Sequence, residues 1–314
     1  MARSSESLRP VVILAILLAL AASLVALILS SISIAKYNDG TIEVNARAQT
    51  RENKAQSQVW TIAISDYGVN LEYLNEATNE IKGYNVDIVN AVCTLANKTC
   101  ILVWDVKQRC WDTEPGQRAR GGVGLLARWY DACTGWVNTY DRSLTFAFTR
   151  AFVKKKDVAL YAVNSSPVDY RNLTGLTVGF IDGWASDERC LARYAESADI
   201  TGASLTASRI LHYSSAMRLM QGLRSGEADI AFAIRLPQLE SDFQRLTPDE
   251  FPNFCYPDGA GMMTRKDNTE FINWWNEAFD RLVGTPEYDK ICERLSTEHG
   301  HIQGSGAKDV CIGY

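Results

Sequence analysis

The sequence lacks the short motifs that mark most hydrolytic, nucleotide-binding and zinc-binding proteins. It contains no Cys-x-x-Cys pair, His-Glu-x-x-His motif, phosphate-binding loop or nucleophile elbow, and it has only three histidines. It also lacks the bias of disordered or collagen-like chains, because 46% of its 314 residues are apolar and only 8 are proline. We therefore predict a folded protein that is not an enzyme and holds no cofactor. We expect no metal site at Glu298, His299 and His301.

An extended basic surface is also missing. Residues 57–314 contain 26 Lys and Arg against 33 Asp and Glu, a net charge of −7. A nucleic-acid surface needs a clustered positive charge. The one basic run, Lys154–Lys156, is too short to supply it. We predict that nucleic acid is not a partner.

Charged side chains are absent from one long segment, residues 11–35, which is apolar except for four serines. A bilayer is spanned by roughly 20 apolar residues in a helix, longer than the apolar part of a signal peptide. Arg3 and Arg9 precede the segment, so the positive-inside rule puts the N-terminus in the cytosol. The sequence predicts a single-pass type II membrane protein.

This topology divides the N-terminal part into a cytoplasmic tail (1–10), a signal anchor that spans the membrane (11–35) and a polar stalk (36–57). The rest of the chain lies outside the cytosol. The alternative is a long signal peptide cleaved near Ser33–Ala35.

Eight cysteines in an exported domain indicate disulfide bonds. Connectivity does not follow from the sequence, but proximity along the chain favours the pairs Cys93–Cys100, Cys110–Cys133 and Cys292–Cys311, which leaves Cys190–Cys255. Three Asn-x-Ser/Thr sequons, at Asn97, Asn164 and Asn172, predict a glycoprotein of the secretory pathway.

Short apolar runs alternate with amphipathic segments through residues 58–296. Such alternation predicts an α/β protein with largely parallel sheets. We expect strands at Trp60–Ser65, Ile101–Val106, Ala132–Val137, Val158–Val163, Thr177–Ile181 and Asp229–Ile234, and helices at Gly83–Ala96, Leu125–Trp129, Asp187–Glu196, Ser215–Arg224, Asn268–Val283 and Thr285–Ser296. In the first helix we expect Val86, Val89 and Leu95 on one side.

Four segments together resemble one protein family. They are Gly83–Ile88 (GYNVDI), Tyr130–Thr149 (YDACTGWVNTYDRSLTFAFT), Leu173–Gly183 (LTGLTVGFIDG) and the segments GMMTRKDN, WNEAFDRL and GTPEYDK within residues 261–290. In this order and spacing they resemble the family 3 extracellular solute-binding proteins. That family has the type II periplasmic-binding-protein fold, which is shared by the ligand-binding core of ionotropic glutamate receptors.

The resemblance implies two lobes with a ligand cleft between them. The first lobe would comprise residues 58–153 and 259–314, and the second lobe residues 156–256. The fold class we predict is therefore α/β, a two-lobed type II periplasmic-binding-protein fold with a central cleft, preceded by one N-terminal transmembrane helix.

The resemblance also implies ligand-binding residues. Arg142 matches the family arginine that binds the α-carboxylate of an amino acid, a task for which a planar guanidinium is suited. The alternative is a surface arginine in a loop. Gly135 and Val137 match positions that line the carboxylate site, and Val137 can offer only backbone groups there.

On the second lobe, Gly183–Asp187 stands where relatives have Gly-Thr-Thr. Ala185 and Ser186 can still offer backbone N–H groups at the start of a helix. Equally, Ser186 or Asp187 can be a plain helix N-cap.

The acid that binds the ligand amino group in the family is missing. Its position falls at Ile234, followed by Arg235. If Arg235 faces the cleft, two arginines would favour a dianion. Otherwise Arg235 points to solvent. Asp66 and Tyr67, after the first strand, are a candidate acid and a candidate aromatic, or form a surface turn.

These features predict a membrane-anchored extracytoplasmic solute-binding protein for an amino acid or other small carboxylate. One alternative is a structural or interaction subunit that kept the fold and lost its ligand. A second is a dehydratase-like enzyme on the same fold. Any signal would pass to a membrane or extracellular protein partner.

Overall fold

The structure, a computed structural model, describes residues 58–65, 71–113, 119–197, 199–249, 251, 255, 258–300 and 306–314. Within these residues no helix is both long and apolar enough to cross a bilayer. The predicted membrane segment 11–35 and the stalk lie outside the described residues, as do Asp66 and Tyr67.

Two five-stranded sheets carry the two lobes. In chain order the strands are β1 (Val59–Ile64), β2 (Tyr73–Asn75), β3 (Glu80–Lys82), β4 (Thr99–Trp104), β5 (Trp111–Asp112), β6 (Arg120–Gly121), β7 (Ala132–Val137), β8 (Phe146–Phe148), β9 (Val158–Ala162), β10 (Val178–Ile181), β11 (Ile210–Tyr213), β12 (Ile230–Ile234), β13 (Gln244–Arg245) and β14 (Ala260–Arg265). The sheet of the first lobe has the order β4-β1-β7-β14-β8, and that of the second lobe β11-β10-β12-β9-β13.

The helices of the described residues cover these sheets. They are α1 (Tyr84–Leu95), α2 (Val123–Leu126), α3 (Tyr140–Thr145), α4 (Glu188–Ser197), α5 (Ala216–Ser225), α6 (Pro237–Asp242), α7 (Thr269–Leu282), α8 (Pro286–Thr297) and α9 (Ala307–Val310). Predicted helix ends differ from these bounds by one residue for the long helices, which is within the ordinary uncertainty of helix termini.

Each sheet is mixed, so the prediction of largely parallel sheets was only partly right. Strands β4, β1 and β7 are parallel, as are β11, β10 and β12. Strand β14 runs antiparallel to β7, and β9 runs antiparallel to β12. The antiparallel strands lie at either end of the second lobe's chain segment, where β9 enters that lobe and β14 returns to the first sheet.

Helix α1 illustrates what the sequence pattern predicts and where it fails. Gly83 enters the helix with a φ of 128°, and a Cβ there would lie 2.3 Å from the carbonyl oxygen of Leu71, so only glycine fits. Val86 and Val89 are buried as predicted, but Leu95 is 42% exposed. Nine residues at about 100° each place Leu95 on the opposite face from Val86.

Aromatic clusters fill both lobes. In the first lobe Phe271 and Trp275 stack at 5.9 Å between ring centroids, beside the fully buried Trp60. In the second lobe Tyr194 and Phe251 stack at 4.7 Å. These packed cores hold the strand ends that face the cleft in fixed positions.

All eight cysteines form disulfides, and the pairs are those that proximity favoured: Cys93–Cys100, Cys110–Cys133, Cys190–Cys255 and Cys292–Cys311. Three lie in the first lobe and one in the second. The predicted glycosylation sites Asn97, Asn164 and Asn172 are all exposed, and their modification stays a prediction.

Candidate ligand-binding site

Arg142 lies where the two lobes meet. It belongs to helix α3, which begins after Thr139, whose Oγ1 accepts from the Arg142 backbone N–H at 3.4 Å. The residue is only 5% exposed. Its Nη1 donates to the carbonyl of Val137 at 2.9 Å, and its Nη2 donates to the carbonyl of Gly183 at 2.7 Å. Val137 ends a strand of the first sheet and Gly183 follows a strand of the second, so one guanidinium joins both lobes.

Two tryptophans of the first lobe surround the same guanidinium. The Arg142 Cζ lies 4.7 Å from the ring centroid of Trp136 and 5.9 Å from that of Trp111. An aromatic face stabilises a cation, and more so where water is excluded. Trp111 is brought there by the disulfide between Cys110 and Cys133, because Cys133 lies in β7.

The turn of the second lobe opposite Arg142 begins at Gly183, which has a φ of 76°. Ala185 and Ser186 follow and are buried. The N-cap of helix α4 is Asp187, whose Oδ1 accepts the backbone N–H groups of Arg189 at 3.1 Å and Cys190 at 2.9 Å. Burial raises the pKa of Asp187, although the N–H of Cys190 counteracts it.

Ser186 therefore does not cap the helix, which was one of the two open interpretations. Its Oγ is buried and has no hydrogen-bond partner within the described residues. Thr113 Oγ1, which lies across the same turn, is also buried and has no hydrogen-bond partner within the described residues. Buried hydroxyls without partners are rare, and of these two only Thr113 borders a cavity.

A cavity of about 500 Å³ opens beside this contact. It is lined from the first lobe by Trp111, Thr113, Ala119, Thr139, Asp141 and Arg142, and from the second by Asp182–Ala185, Asp187–Arg189, Ala207 and Ile210–His212. The volume is in the range of sites for small molecules.

An ion pair crosses between the lobes at the edge of this cavity. Asp141, next to Arg142 in α3, contacts Arg189 of α4. The two side chains are 32% and 41% exposed, so water screens the pair more than it screens Arg142.

His212 forms a second polar cluster in the cavity wall. Its Nε2 lies 3.2 Å from Glu188 Oε2, and its Nδ1 lies 3.7 Å from Asp182 Oδ1. The neighbouring carboxylates of Asp182 and Glu188 raise the pKa of His212 to about 9. The ring is therefore a cation at neutral pH.

Arg235 does not border this cavity. It pairs with Glu240, with both contacts at 3.3 Å, and with Asp249 at 3.6 Å, all within the second lobe. Ile234 lies at the end of β12 and is only 8% exposed. The two-arginine site is not formed here, because Arg235 binds Glu240 of α6 and Asp249 after β13 and does not line the cavity.

Gly135 and Val137 are not among the residues that line the cavity, although both lie in β7. Val137 contributes its backbone carbonyl to Arg142, which agrees with the expectation that it can offer only backbone groups. Gly135 has a φ of 77° close to the irregular pairing between β7 and β14.

Sequence reasoning missed Asp141, Arg189, His212, Trp111 and Thr113. Two features of the sequence could have pointed to Asp141 and Trp111. Asp141 adjoins Arg142 directly, and Trp111 adjoins a cysteine whose favoured partner, Cys133, lies seven residues before Tyr140. No cluster of three or more metal-binding side chains occurs in the described part of the chain.

A comparison with family models agrees with the family resemblance of the four sequence segments. The model of the bacterial extracellular solute-binding proteins, family 3, matches residues 61–297. No curated protein sequence is similar enough to be matched.

Solved structures show the same fold. The chain is similar to a histidine-bound substrate-binding protein of an ABC uptake transporter from Streptococcus pneumoniae, with a TM-score of 0.58, 18% identity, and coverage of 79% of this chain and 96% of that one. It is also similar to the arginine-, lysine-, histidine-binding protein of Geobacillus stearothermophilus, with a TM-score of 0.54, 16% identity and coverage of 77% and 96%. A lysine-bound protein of the His/Glu/Gln/Arg/opine-binding family from Silicibacter pomeroyi has a TM-score of 0.53, 19% identity and coverage of 79% and 100%.

Proposed function

The chain belongs to the family 3 bacterial extracellular solute-binding proteins, and from this premise we propose that it binds a small carboxylate, an amino acid in the simplest case, in the cavity beside Arg142. The observation that carries the proposal is the buried Arg142 guanidinium, which reaches backbone groups of both lobes at the wall of a 500 Å³ cavity.

A ligand carboxylate would compete with the carbonyl of Gly183 for Arg142. A charged acceptor forms a stronger hydrogen bond with a guanidinium than a neutral carbonyl does, and a carboxylate can accept from two N–H groups at once. Thr113 of the first lobe lines the cavity, and its buried Oγ1 has no hydrogen-bond partner within the described residues. It is a further donor for the ligand.

An ammonium group needs a different acid from the one that relatives use. The cavity wall contains Asp141, Asp182, Asp187 and Glu188. Asp141 contacts Arg189, while Asp182 and Glu188 face His212. Asp187 is the acid whose pKa is raised by burial. A ligand ammonium beside it would offset that cost, so we assign the amino-group contact to Asp187.

Ligand would act by favouring the closed arrangement of the lobes, since it contacts both and so binds the closed form better than the open one. We place the binding domain outside the cytosol, anchored through residues 11–35, in agreement with the four disulfides. A membrane or extracellular protein partner would then receive the signal of closure.

A thermal-unfolding screen tests the proposal. The full-length protein in neutral detergent is heated with amino acids, dicarboxylates and monocarboxylates, each in molar excess. Ligand at about 100 times Kd adds about 2.7 kcal/mol of stability. At about 2–4 °C for each kcal/mol, this is a rise in Tm of about 5–10 °C.

Arg142→Lys and Arg235→Lys are matched variants for this screen, because both keep the charge and lose the planar fork. We expect the ligand-induced rise to disappear in Arg142→Lys and to persist in Arg235→Lys. Loss of the rise in both variants would contradict the assigned site.

A second candidate function follows from the same contact. The carbonyls of Val137 and Gly183 already bind Arg142, so the lobes are joined by the protein's own groups. This favours a structural or interaction subunit that has lost its ligand. A flat screen with a folded protein would select this candidate.

A further inference from the structure

A separate pocket of about 390 Å³ opens where the chain crosses from the first sheet to the second. Five cations line it: Lys154, Lys155, Lys156, Arg235 and Lys308. Only three acids line it: Asp157, Glu240 and Asp309. The lining therefore carries a net positive charge in a chain whose formal net charge is −5.

Backbone hydrogen bonds hold the three segments of this crossover pocket together. The N–H of Lys154 donates to the carbonyl of Val310 at 2.7 Å, which fixes the crossover to helix α9. Lys154 Nζ donates to the carbonyl of Lys308 at 3.1 Å. The N–H of Arg235 donates to the carbonyl of Asp157 at 2.8 Å, which fixes the crossover to the end of β12. The cations are therefore brought together by the fold and not by flexible side chains alone.

The principal acid of the pocket is already shared. Glu240 accepts from the hydroxyl of Tyr161 at 2.6 Å and contacts the guanidinium groups of Arg235 and Arg245 at 3.3 and 3.7 Å. A carboxylate that serves two arginines and a tyrosine has little capacity left to neutralise the exposed Lys155.

Lys156 is a partly buried cation of the pocket. Burial lowers its pKa, and the attraction of Asp309, which favours the protonated form, does not outweigh the loss of water. A further negative charge in the pocket would compensate for that desolvation.

We propose that the crossover pocket binds a small polyvalent oxyanion, of the phosphate or polycarboxylate class. Lysine ammonium groups are compact charges that suit such an anion from several directions, and Arg235 adds a planar donor at one side. The site is separate from the Arg142 cavity, since the two share no lining residue. The anion would contact the crossover, the second lobe and the C-terminal helix together.

Calorimetric titration of the full-length protein in neutral detergent tests this proposal. The probes are inorganic pyrophosphate and citrate, with sodium chloride at equal ionic strength as the monovalent comparison. We expect saturable binding of at least one polyvalent anion and no saturable binding of chloride. Absence of saturable binding by both polyvalent anions overturns the proposal.

A matched pair of double variants locates the site. Lys155 and Lys308 are exposed residues of the pocket, so Lys155→Ala/Lys308→Ala is expected to fold normally. The control Lys266→Ala/Lys290→Ala removes the same charge from exposed positions outside the pocket. We expect the pocket variant to weaken anion binding about ten-fold, which is equivalent to 1.4 kcal/mol, and the control to leave it nearly unchanged. Equal weakening in both variants would show a general effect of net charge and overturn the site.

Discussion

Arg142 and Arg235 both lie close to the C-terminal end of a sheet strand, but their surroundings differ. Arg142 is 5% exposed, donates to backbone carbonyls of both lobes and lies near two tryptophan rings. The side chain of Arg235 is 35% exposed and pairs with acids of its own lobe. Water competes more strongly for the side chain of Arg235 than for that of Arg142. The exposure of a guanidinium to water, and not its charge, decides how much it contributes to the stability of the fold.

The difference in burial predicts how much each arginine contributes to the free energy of unfolding. A buried donor whose partners cannot find water stabilises the fold strongly, because its removal leaves those partners unsatisfied. An exposed ion pair contributes little, because both members are well hydrated when they separate.

The largest effect is expected from truncation of Arg142. Arg142→Ala leaves the carbonyls of Val137 and Gly183 without their donor and leaves a void beside Trp136, so we expect the free energy of unfolding to fall by about 2–4 kcal/mol. Arg235→Ala is expected to lower it by less than about 1 kcal/mol. Denaturant unfolding followed by tryptophan fluorescence measures both values. Similar losses in the two variants would contradict the idea that burial of the guanidinium decides how much it stabilises the fold.

An intermediate effect is expected from His212, whose side chain is 32% exposed, as is that of Asp141, but lies close to two carboxylates. Asp182 and Glu188 raise its pKa to about 9 from an ordinary value of 6.5. The stabilisation is therefore fully present below pH 6.5 and is lost as the pH rises through about 9. After allowance for solvent screening we expect a loss of roughly 1–2 kcal/mol over that range.

His212→Gln provides the control, because it cannot take up the proton. Denaturant unfolding at pH 6 and pH 9.5 is compared for the wild-type protein and the variant. The wild-type protein should lose the extra stability and the variant should not. A parallel decline in both proteins would assign the pH dependence to other groups.

The smallest effect is expected from the ion pair between Asp141 and Arg189. This pair crosses the lobes as Arg142 does, but both side chains are about one-third exposed or more. A double-mutant cycle with Asp141→Asn and Arg189→Gln should give a coupling energy below about 1 kcal/mol. A coupling as large as the effect of Arg142→Ala would show that bridging the lobes matters more than burial.

Much of the fold was predictable, since the buried strands and long amphipathic helices carry strong periodic signals. Elements without such a signal were missed. Helix α3 has six residues, of which only Arg142 is buried, and α6 has six, of which only Leu239 is buried. Such short helices form because tertiary contacts and N-terminal residues hold them, and their own sequence pattern says little.

The candidate site was predictable in part for the same reason. Arg142 and the turn after β10 lie in segments with a family pattern, and the structure brings them into contact. Arg235 was a candidate because of its place after β12, yet Glu240, five residues later, binds it away from the cavity. Which of two directions a side chain takes depends on groups that approach it from other elements.

The sequence by itself determined the alternation of strands and helices, the family, and the even set of cysteines that can form disulfides. These depend on local patterns and on residue identity. Only the tertiary structure decided that Arg142 joins the two lobes, that Asp187 and not Ser186 caps helix α4, and that Lys154–Lys156, Arg235 and Lys308 line one pocket. Those outcomes depend on distances between segments far apart in the chain, and packing of the whole fold sets those distances.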